Sequence, residues 1–237
     1  MALKHRSLKA MLIAQSRLNV AWKPQFMEFL NPKLIVISAP SGSGKTSIFK
    51  KAQAILSNLL FSISYTTRHP RAGEVDGVDY LFTSEHRFRQ MIKENQFLEW
   101  AEVYGNFYGT SKDFIRRSQL DGKIVVLDID VQGMLQLQDV PDLDAVFVFI
   151  SPPSLEELTK RLINRGTEDD SSIKKRLNNA EYEMTFMDRY DYKVVNDDLD
   201  EAVDAFLKVV ITECYDLKGS KNLDVDGLLT ELKKADP

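Results

Sequence analysis

Residues that form disulfides and metal clusters are scarce in this sequence. Cys214 is the single cysteine among 237 residues, so no internal disulfide can form, and a lone thiol fits a reducing compartment. The three histidines, His5, His69 and His86, are widely scattered. Together with one cysteine they do not give the ligand spacing of a zinc cluster. A disulfide-stapled fold and a zinc-cluster domain are therefore excluded.

Long hydrophobic runs are also missing. Apolar segments such as residues 145–150 fall far short of the roughly 20 residues that a membrane-spanning helix needs. Hydrophobic residues make up 43% of the chain and charged residues 28%, which is typical of globular proteins that bury a large core. We therefore expect a folded chain without a membrane partner, and neither disorder nor a fibrous repeat.

Acidic residues are lacking only at the start of the chain. Residues 1–26 contain no acid, and their five basic residues are Lys4, Arg6, Lys9, Arg17 and Lys23. The rest of the chain has 26 basic and 35 acidic side chains. An acidic body disfavours general nucleic-acid binding, but it leaves room for a small phosphorylated ligand held by a few arginines.

The first 32 residues are interpreted as a basic N-terminal extension. Its leucines and methionines fall near one helical face among basic residues, a pattern typical of an organellar transit peptide. An extra surface helix, or residues upstream of a start at Met27, accounts for the same pattern. We expect a cytoplasmic location, with organellar targeting as the lesser alternative.

Apolar runs alternate with helical stretches from residue 33 onward. Residues 34–37, 124–127 and 145–150 are uninterrupted apolar segments, which is typical of parallel strands buried on both faces. The alternation predicts an α/β fold with a parallel sheet flanked by helices. We assign the core to residues 33–63, 113–153 and 191–217, a mixed insertion to 64–112, a basic helical segment to 154–190 and a C-terminal tail to 218–237.

A glycine-rich loop follows the first predicted strand. Residues 41–46 read SGSGKT, and the glycines let backbone N–H groups converge on phosphate oxygens at the start of a helix. Lys45 can reach the β- and γ-phosphates, and the Thr46 hydroxyl can ligate Mg²⁺. The usual pattern begins with glycine where this chain has Ala39. The predicted ATP-binding residues here are Ala39, Pro40, Ser41, Gly42, Ser43, Gly44, Lys45, Thr46 and Ser47.

Two carboxylates follow the predicted strand at residues 124–127. Asp128 and Asp130 are two residues apart, so they share a face while the chain stays extended. They lie at the carboxyl end of a strand, where open α/β sheets bind ligands. In phosphate-loop enzymes such an aspartate lies near Mg²⁺, which favours Asp128 as a second metal ligand. A pair of solvated loop carboxylates is the alternative.

Several further motifs make the sequence resemble the guanylate kinase family. They are SYTTRHPRAGEVDGVDY at residues 64–80, FLEW at 97–100, YGT at 108–110, LDIDVQG at 127–133, RGT at 165–167 and VNDDL at 195–199. They occur in the family's order across residues 33–217. The resemblance implies that ATP and GMP are converted to ADP and GDP with Mg²⁺. It also implies that the insertion at 64–112 binds GMP and that residues 154–190 form a lid.

The resemblance assigns the acceptor nucleotide to one set of polar residues. Chemistry agrees, because the phosphate of GMP needs forked cationic donors and guanine presents adjacent N–H donors that one carboxylate can accept. Arg68, Arg71, Tyr80 and Tyr108 match the phosphate contacts. Glu99 and Asp130 match the contacts to the base, and Ser64 and Thr110 match hydroxyl contacts, although the family often has serine in place of Thr110.

The resemblance also implies the lid and the catalytic set. Arg161, Arg165 and Arg176 match the family's lid arginines, and Asn196 matches a contact region for the adenine of ATP. Arg161 and Arg165 are four residues apart, so they lie on one face of a helix. The predicted catalytic residues are Lys45, Arg68, Arg165 and Arg176.

Other functions remain open from the sequence. A guanylate-kinase-like binding module without catalysis is the main alternative, although such modules generally have a degraded phosphate loop. A GTPase is disfavoured because no Asn-Lys-x-Asp motif occurs, and another nucleoside monophosphate kinase is disfavoured by Glu99. We expect ATP and GMP, with deoxy-GMP as a further substrate, as the ligands of a monomer or homodimer that does not bind nucleic acid.

Overall fold

The computed structural model describes residues 29–71, 73–103, 105–164, 170–217 and 224–234. Most of the predicted N-terminal extension, part of the predicted tail, and Arg165 lie outside these residues. Along the chain the elements are β1 (Leu34–Ser38), α1 (Lys45–Ile55), β2 (Leu59–Phe61), β3 (Tyr65–Thr66), β4 (Leu81–Phe82), α2 (Glu85–Lys93), β5 (Phe97–Val103), β6 (Asn106–Ser111), α3 (Lys112–Leu120), β7 (Ile124–Asp128), α4 (Val131–Gln138), β8 (Ala145–Ser151), α5 (Leu155–Asn164), α6 (Asp170–Met184), β9 (Tyr192–Val195), α7 (Leu199–Cys214) and α8 (Val225–Lys233).

Five parallel strands form the larger sheet, in the order β2-β7-β1-β8-β9. Side chains of β1 alternate between its two faces. Ile35 and Ile37 join a core cluster with α1, α7 and α8, whereas Leu34 and Val36 join a second cluster with α3 and α4. Because helices cover both faces, the central strands β1, β7 and β8 are apolar over most of their length, as their uninterrupted runs predict.

The insertion between β2 and α3 forms a second, smaller sheet in the order β4-β3-β6-β5. Its core consists of Phe88, Met91, Phe97 and Phe107. Gly109 leaves room for these rings, because a Cβ atom at this position would lie 3.0 Å from ring atoms of both Phe88 and Phe97. The insertion therefore has a hydrophobic core of its own, apart from the larger sheet.

Helices α5 and α6 pack on each other over the phosphate loop. Leu158, Leu162 and Ala180 are buried between them. Ser154 and Glu157 form only half of a capping box. The Ser154 hydroxyl accepts a hydrogen bond from the backbone N–H of Glu157 at 3.1 Å, but the Glu157 side chain pairs with Arg161 instead of returning to Ser154.

The C-terminal region contains a helix within the segment predicted as a tail. Helix α7 ends at Cys214, because Tyr215 adopts an extended backbone and pairs with Leu30. A further helix, α8, then packs against α7 and buries Leu228 and Leu229 in the main core. Of the described helices, none has the length and apolar character that crossing a membrane requires.

Candidate active site

The phosphate loop connects β1 to α1 with two glycines in left-handed conformations. Gly42 has φ +101° and Gly44 has φ +88°, values that residues other than glycine rarely adopt. Gly44 is the N-cap of α1, where no side chain caps the helix and no acid lies in the first turn. The start of α1 therefore carries no acid of its own, which suits a helix end that binds an anion.

Lys45 forms an ion pair with Asp128 across two neighbouring strands. The pair follows from the register of the sheet, in which Ile37 at the end of β1 lies opposite Asp128 at the end of β7. Thr46 and Ser47 are exposed in the first turn of α1. Of the two residues predicted to bind Mg²⁺, Asp128 contacts the Lys45 ammonium group and Thr46 follows Lys45 directly in the chain.

Asn196, at the end of β9, contacts the phosphate loop directly. Its Nδ2 atom donates a hydrogen bond to the backbone oxygen of Ser43 at 2.6 Å. A Cβ atom on Gly44 would lie only 2.1 Å from the same Nδ2 atom, so this contact requires glycine at position 44. Arg161 donates to the backbone oxygen of Asn196 at 3.0 Å. The structure thus brings predicted ATP-binding residues from β9 and α5 to the loop.

Helix α6 reaches the same loop from the other side. The Arg176 guanidinium donates a hydrogen bond to the hydroxyl of Ser41, which is exposed. Of the three predicted lid arginines, Arg161 and Arg176 therefore contact the loop or its neighbour, while Arg165 lies outside the described residues. Pro40 is buried and Ala39 is half-buried at the start of the loop.

The insertion presents a second cationic cluster, centred on Arg68. The Arg68 guanidinium lies over the Tyr80 ring at 5.3 Å from the ring centroid, and the Tyr80 and Tyr108 rings are 6.0 Å apart. Hydrogen bonds to Glu74 and Tyr108 raise the pKa of Arg68 above its ordinary value. Arg71 is exposed beside this cluster. The four residues predicted to bind the acceptor phosphate are therefore neighbours.

A buried carboxylate lies on β5 of the insertion. Glu99 is 9% exposed, and its Oε1 atom accepts a hydrogen bond from the Thr110 hydroxyl at 2.6 Å. Burial raises the pKa of Glu99, and the nearby charge of Asp130 adds to that increase. Asp130 is also the N-cap of α4, accepting from the Gly133 backbone at 2.9 Å. The two predicted base contacts therefore lie together.

The donor and acceptor groups meet at the carboxyl ends of β1 and β7. Asp128, beside Lys45, is close enough to Tyr80 to contribute to the raised pKa of that phenol, whose main cause is burial. Ser64 lies where the chain enters the insertion, and its backbone oxygen accepts from Leu81 at 2.9 Å. Asp128 thus lies near both Lys45, predicted to bind the donor, and Tyr80, predicted to bind the acceptor phosphate.

Two acidic residues of the site have no role in the prediction from sequence. Glu74 forms an ion pair with Arg68, and its only sequence signal is its place in the family segment at 64–80. Glu183, on α6, has a pKa raised to about 7, mainly by burial and further by Asp130 and Asp128, against the opposing charge of Lys45. The sequence feature that could have pointed to Glu183 is its spacing of seven residues from Arg176, because this spacing places both residues on one face of a helix.

Known proteins that resemble the chain are guanylate kinases. A family model described as guanylate kinase matches residues 31–213. The guanylate kinase of Caldanaerobacter subterraneus subsp. tengcongensis is 47% identical over 191 residues, which cover 80% of this chain and 92% of that protein. The guanylate kinase of Bacillus subtilis is 47% identical over 184 residues, covering 76% of this chain and 88% of that protein.

A solved structure agrees with these matches. The crystal structure of guanylate kinase from Anaplasma phagocytophilum superposes with a TM-score of 0.59 at 29% identity, covering 85% of this chain and 96% of that one. The predicted α/β fold class with its parallel sheet is confirmed, as is the prediction of a kinase that uses ATP. The chain belongs to the guanylate kinase family.

Proposed function

We propose that the protein transfers the γ-phosphoryl group of ATP to the phosphate of GMP, giving ADP and GDP. The observation that carries this proposal is the position of the Glu99–Thr110 pair beside Asp130, on the same side of the sheet as the Lys45–Asp128 pair. The Glu99–Thr110 pair can bind the base of the acceptor, and the Lys45–Asp128 pair can bind the phosphates of the donor with their metal ion. Family membership supports the same reaction.

Lys45 and the start of α1 bind the donor. Phosphoryl transfer requires two phosphates in line and neutralisation of the charge that develops between them. The Lys45 ammonium group and the backbone N–H groups at the uncapped end of α1 supply positive charge on the donor side. Arg161 and Asn196 hold the loop in place, and Arg176 adds a cation at its outer rim. We propose that Arg165 joins them when the lid closes.

Mg²⁺ fits the same residues. The Lys45 ammonium contacts a carboxylate oxygen of Asp128, so this oxygen already accepts a cation. Within the described parts of the chain, no cluster of three acidic, histidine or cysteine residues could hold a metal by itself, which agrees with an ion bound mainly by phosphates and water. Asp128 and Thr46 would hold the ion, which neutralises charge on the transferring phosphoryl group when bound.

Guanine is recognised through the Glu99 carboxylate. Its two oxygens can accept the N1–H and N2–H groups of guanine, and the Thr110 hydroxyl holds the carboxylate in place. Adenine has neither an N1–H donor nor an N2 amine, so this buried carboxylate would lose both partners on the base and keep only Thr110. Arg68, Arg71, Tyr80 and Tyr108 bind the phosphate of GMP, and Ser64 contributes a hydroxyl group near the acceptor.

One coupled assay tests the proposal. Purified protein is incubated with ATP, Mg²⁺ and each nucleoside monophosphate separately, and ADP release is followed. We expect turnover with GMP and little with AMP, UMP or CMP. A matched preparation of Lys45→Met, which removes the donor-side cation, should release about 10²–10³-fold less ADP. Efficient conversion of AMP or UMP with GMP unused would refute the proposal, and GMP binding without ADP release would favour the binding-module alternative.

Several finer statements stay predictions. They are a cytoplasmic location, a monomer or homodimer, the use of deoxy-GMP, and the domain limits at residues 33–63, 64–112, 113–153, 154–190 and 191–217. The domain limits are supported by the separate hydrophobic cores of the insertion and of the α5–α6 pair.

A further inference from the structure

Arg68 is held by a carboxylate from its own loop. Its Nη1 atom donates to Glu74 Oε2 at 2.9 Å and its Nη2 atom donates to Glu74 Oε1 at 2.8 Å. Nη1 also donates to the backbone oxygen of His69 at 2.8 Å. This is a bidentate, charge-assisted pair, the arrangement that fixes the plane of a guanidinium group most strictly.

The surroundings of the pair restrict both partners. Glu74 also accepts from the backbone N–H of Arg71 at 2.7 Å, while its own N–H donates to the Arg71 oxygen at 3.1 Å. Tyr80 and Phe82 lie against the Arg68 guanidinium. The two side chains are only 14% and 19% exposed. Glu74 is therefore an anchored partner, unlike the exposed carboxylates of most surface ion pairs.

The geometry divides the guanidinium group into two edges. Glu74 takes the edge between Nη1 and Nη2, and His69 takes the remaining hydrogen of Nη1. The other edge consists of Nε–H and the second hydrogen of Nη2, and two parallel donors of this kind match two oxygens of a phosphate. The Tyr108 hydroxyl lies near this guanidinium as well.

We propose that Glu74 is a positioning residue for the acceptor nucleotide: it grips one edge of Arg68 and thereby aims the other edge at the phosphate of GMP. The inference rests on the proposed function, because it assigns Arg68 to that phosphate. It predicts that Glu74 acts on GMP affinity, acts mainly through Arg68, and affects only ligands that carry the phosphate.

The central experiment compares Glu74→Gln with the parent protein. Glutamine keeps the shape but accepts only one of the two hydrogen bonds and loses the charge. We expect KM for GMP to rise about tenfold, with kcat and KM for ATP within about twofold. The matched control is Glu85→Gln, which removes an exposed Arg–Glu pair with Arg89 on helix α2 of the same insertion and should leave all three constants unchanged.

Two further measurements separate positioning from a general loss of structure. Guanosine, which lacks the phosphate, should inhibit the parent and Glu74→Gln equally, whereas a distorted insertion would weaken guanosine too. In an Arg68→Lys background, which has no fork to orient, Glu74→Gln should change KM for GMP by less than about twofold. Glu74→Asp, which keeps the charge but shortens the reach, should give an intermediate KM and serves if the glutamine variant does not fold.

The outcomes are distinct. An unchanged or lower KM for GMP in Glu74→Gln would overturn the inference, the lower value meaning that Glu74 competes with the phosphate for Arg68. An equal loss of guanosine affinity, or a full effect in the Arg68→Lys background, would overturn it as well. Failure of the parent protein to phosphorylate GMP would instead refute the proposed function, and calorimetric binding of GMP and guanosine would still test Glu74.

Discussion

The side-chain amide of Asn196 is hydrogen-bonded to the backbone oxygen of Ser43 at 2.6 Å, joining the end of β9 to the phosphate loop. Asn196 is 5% exposed, so water cannot readily replace this bond. We predict that Asn196→Asp, which sets one oxygen against another, raises KM for ATP about tenfold and changes KM for GMP less than threefold. Steady-state kinetics measures both constants.

The matched control for this prediction is Asn31→Asp. Asn31 is exposed before β1, at the opposite end of the sheet, so the same change of charge should leave both constants as they are. A rise in KM for GMP equal to that for ATP in Asn196→Asp would contradict a contact that acts on the donor side alone.

Base recognition is tested by Glu99→Ala. Because Glu99 is buried and hydrogen-bonded to Thr110, its removal should raise KM for GMP roughly 100-fold and leave KM for ATP within about threefold. Glu102→Ala, on the same strand but exposed, should have no such effect. Similar losses for GMP and ATP would show that Glu99 does not distinguish the base.

Glu183 should make stability depend on pH in the nucleotide-free protein. Its pKa is about 7 in the folded chain against an ordinary value of 4.5, so between these values the folded state binds more protons than the unfolded state. The free energy of unfolding therefore falls as pH rises from about 4.5 to about 7 and stays reduced above that range.

Glu183→Gln removes this penalty. Because part of the side chain contacts water, we expect the variant to be more stable by about 1 kcal/mol at pH 8 and nearly unchanged at pH 5. Urea unfolding at the two pH values measures the difference. The matched control is Glu181→Gln, at an exposed position on the same helix, which should have the same stability as the parent protein at both pH values. An equal effect of Glu183→Gln at pH 5 and pH 8 would contradict a raised pKa for Glu183.

Helix α8 should contribute directly to the stability of the main core. Leu228 is fully buried against this core, so Leu228→Ala should reduce the free energy of unfolding by about 2–4 kcal/mol in urea denaturation. Leu120→Ala, at a residue that is 72% exposed, should cost less than about 0.5 kcal/mol. If the two variants lose similar stability, the packing of α8 on α7 does not matter to the fold.

The sequence predicted the larger sheet because its strands carry a strong signal. Uninterrupted apolar runs such as residues 124–127 arise only where helices cover both faces, and the structure covers them so. The phosphate loop was predictable for a similar reason. Its backbone is left-handed at Gly42 and Gly44, a conformation that few residues other than glycine adopt. Both features are local properties of a short segment.

Other features depend on contacts between distant segments and were not predictable in the same way. Strands β3 and β4 have two residues each, too few for any periodicity. Helix α8 has only nine residues, and it is stabilised by its packing on α7, which lies earlier in the chain. The raised pKa of Glu183 comes mainly from burial in the folded chain, and it is modified by Lys45 and Asp128, which lie far away in the sequence. Arg68 was assigned to the acceptor phosphate through a family motif. Its ion pair with Glu74 could be recognised only in the folded loop.

The chain passes between its two sheets only at one margin of the larger one. It leaves after β2 and returns through α3 to β7, and β2 and β7 are adjacent parallel strands. Two covalent connections that start side by side at this margin therefore join the insertion to the larger sheet. A rotation of the insertion about that margin would change the distance from Arg68 to Lys45, and it would also shift Leu98 of β5 against the second core cluster.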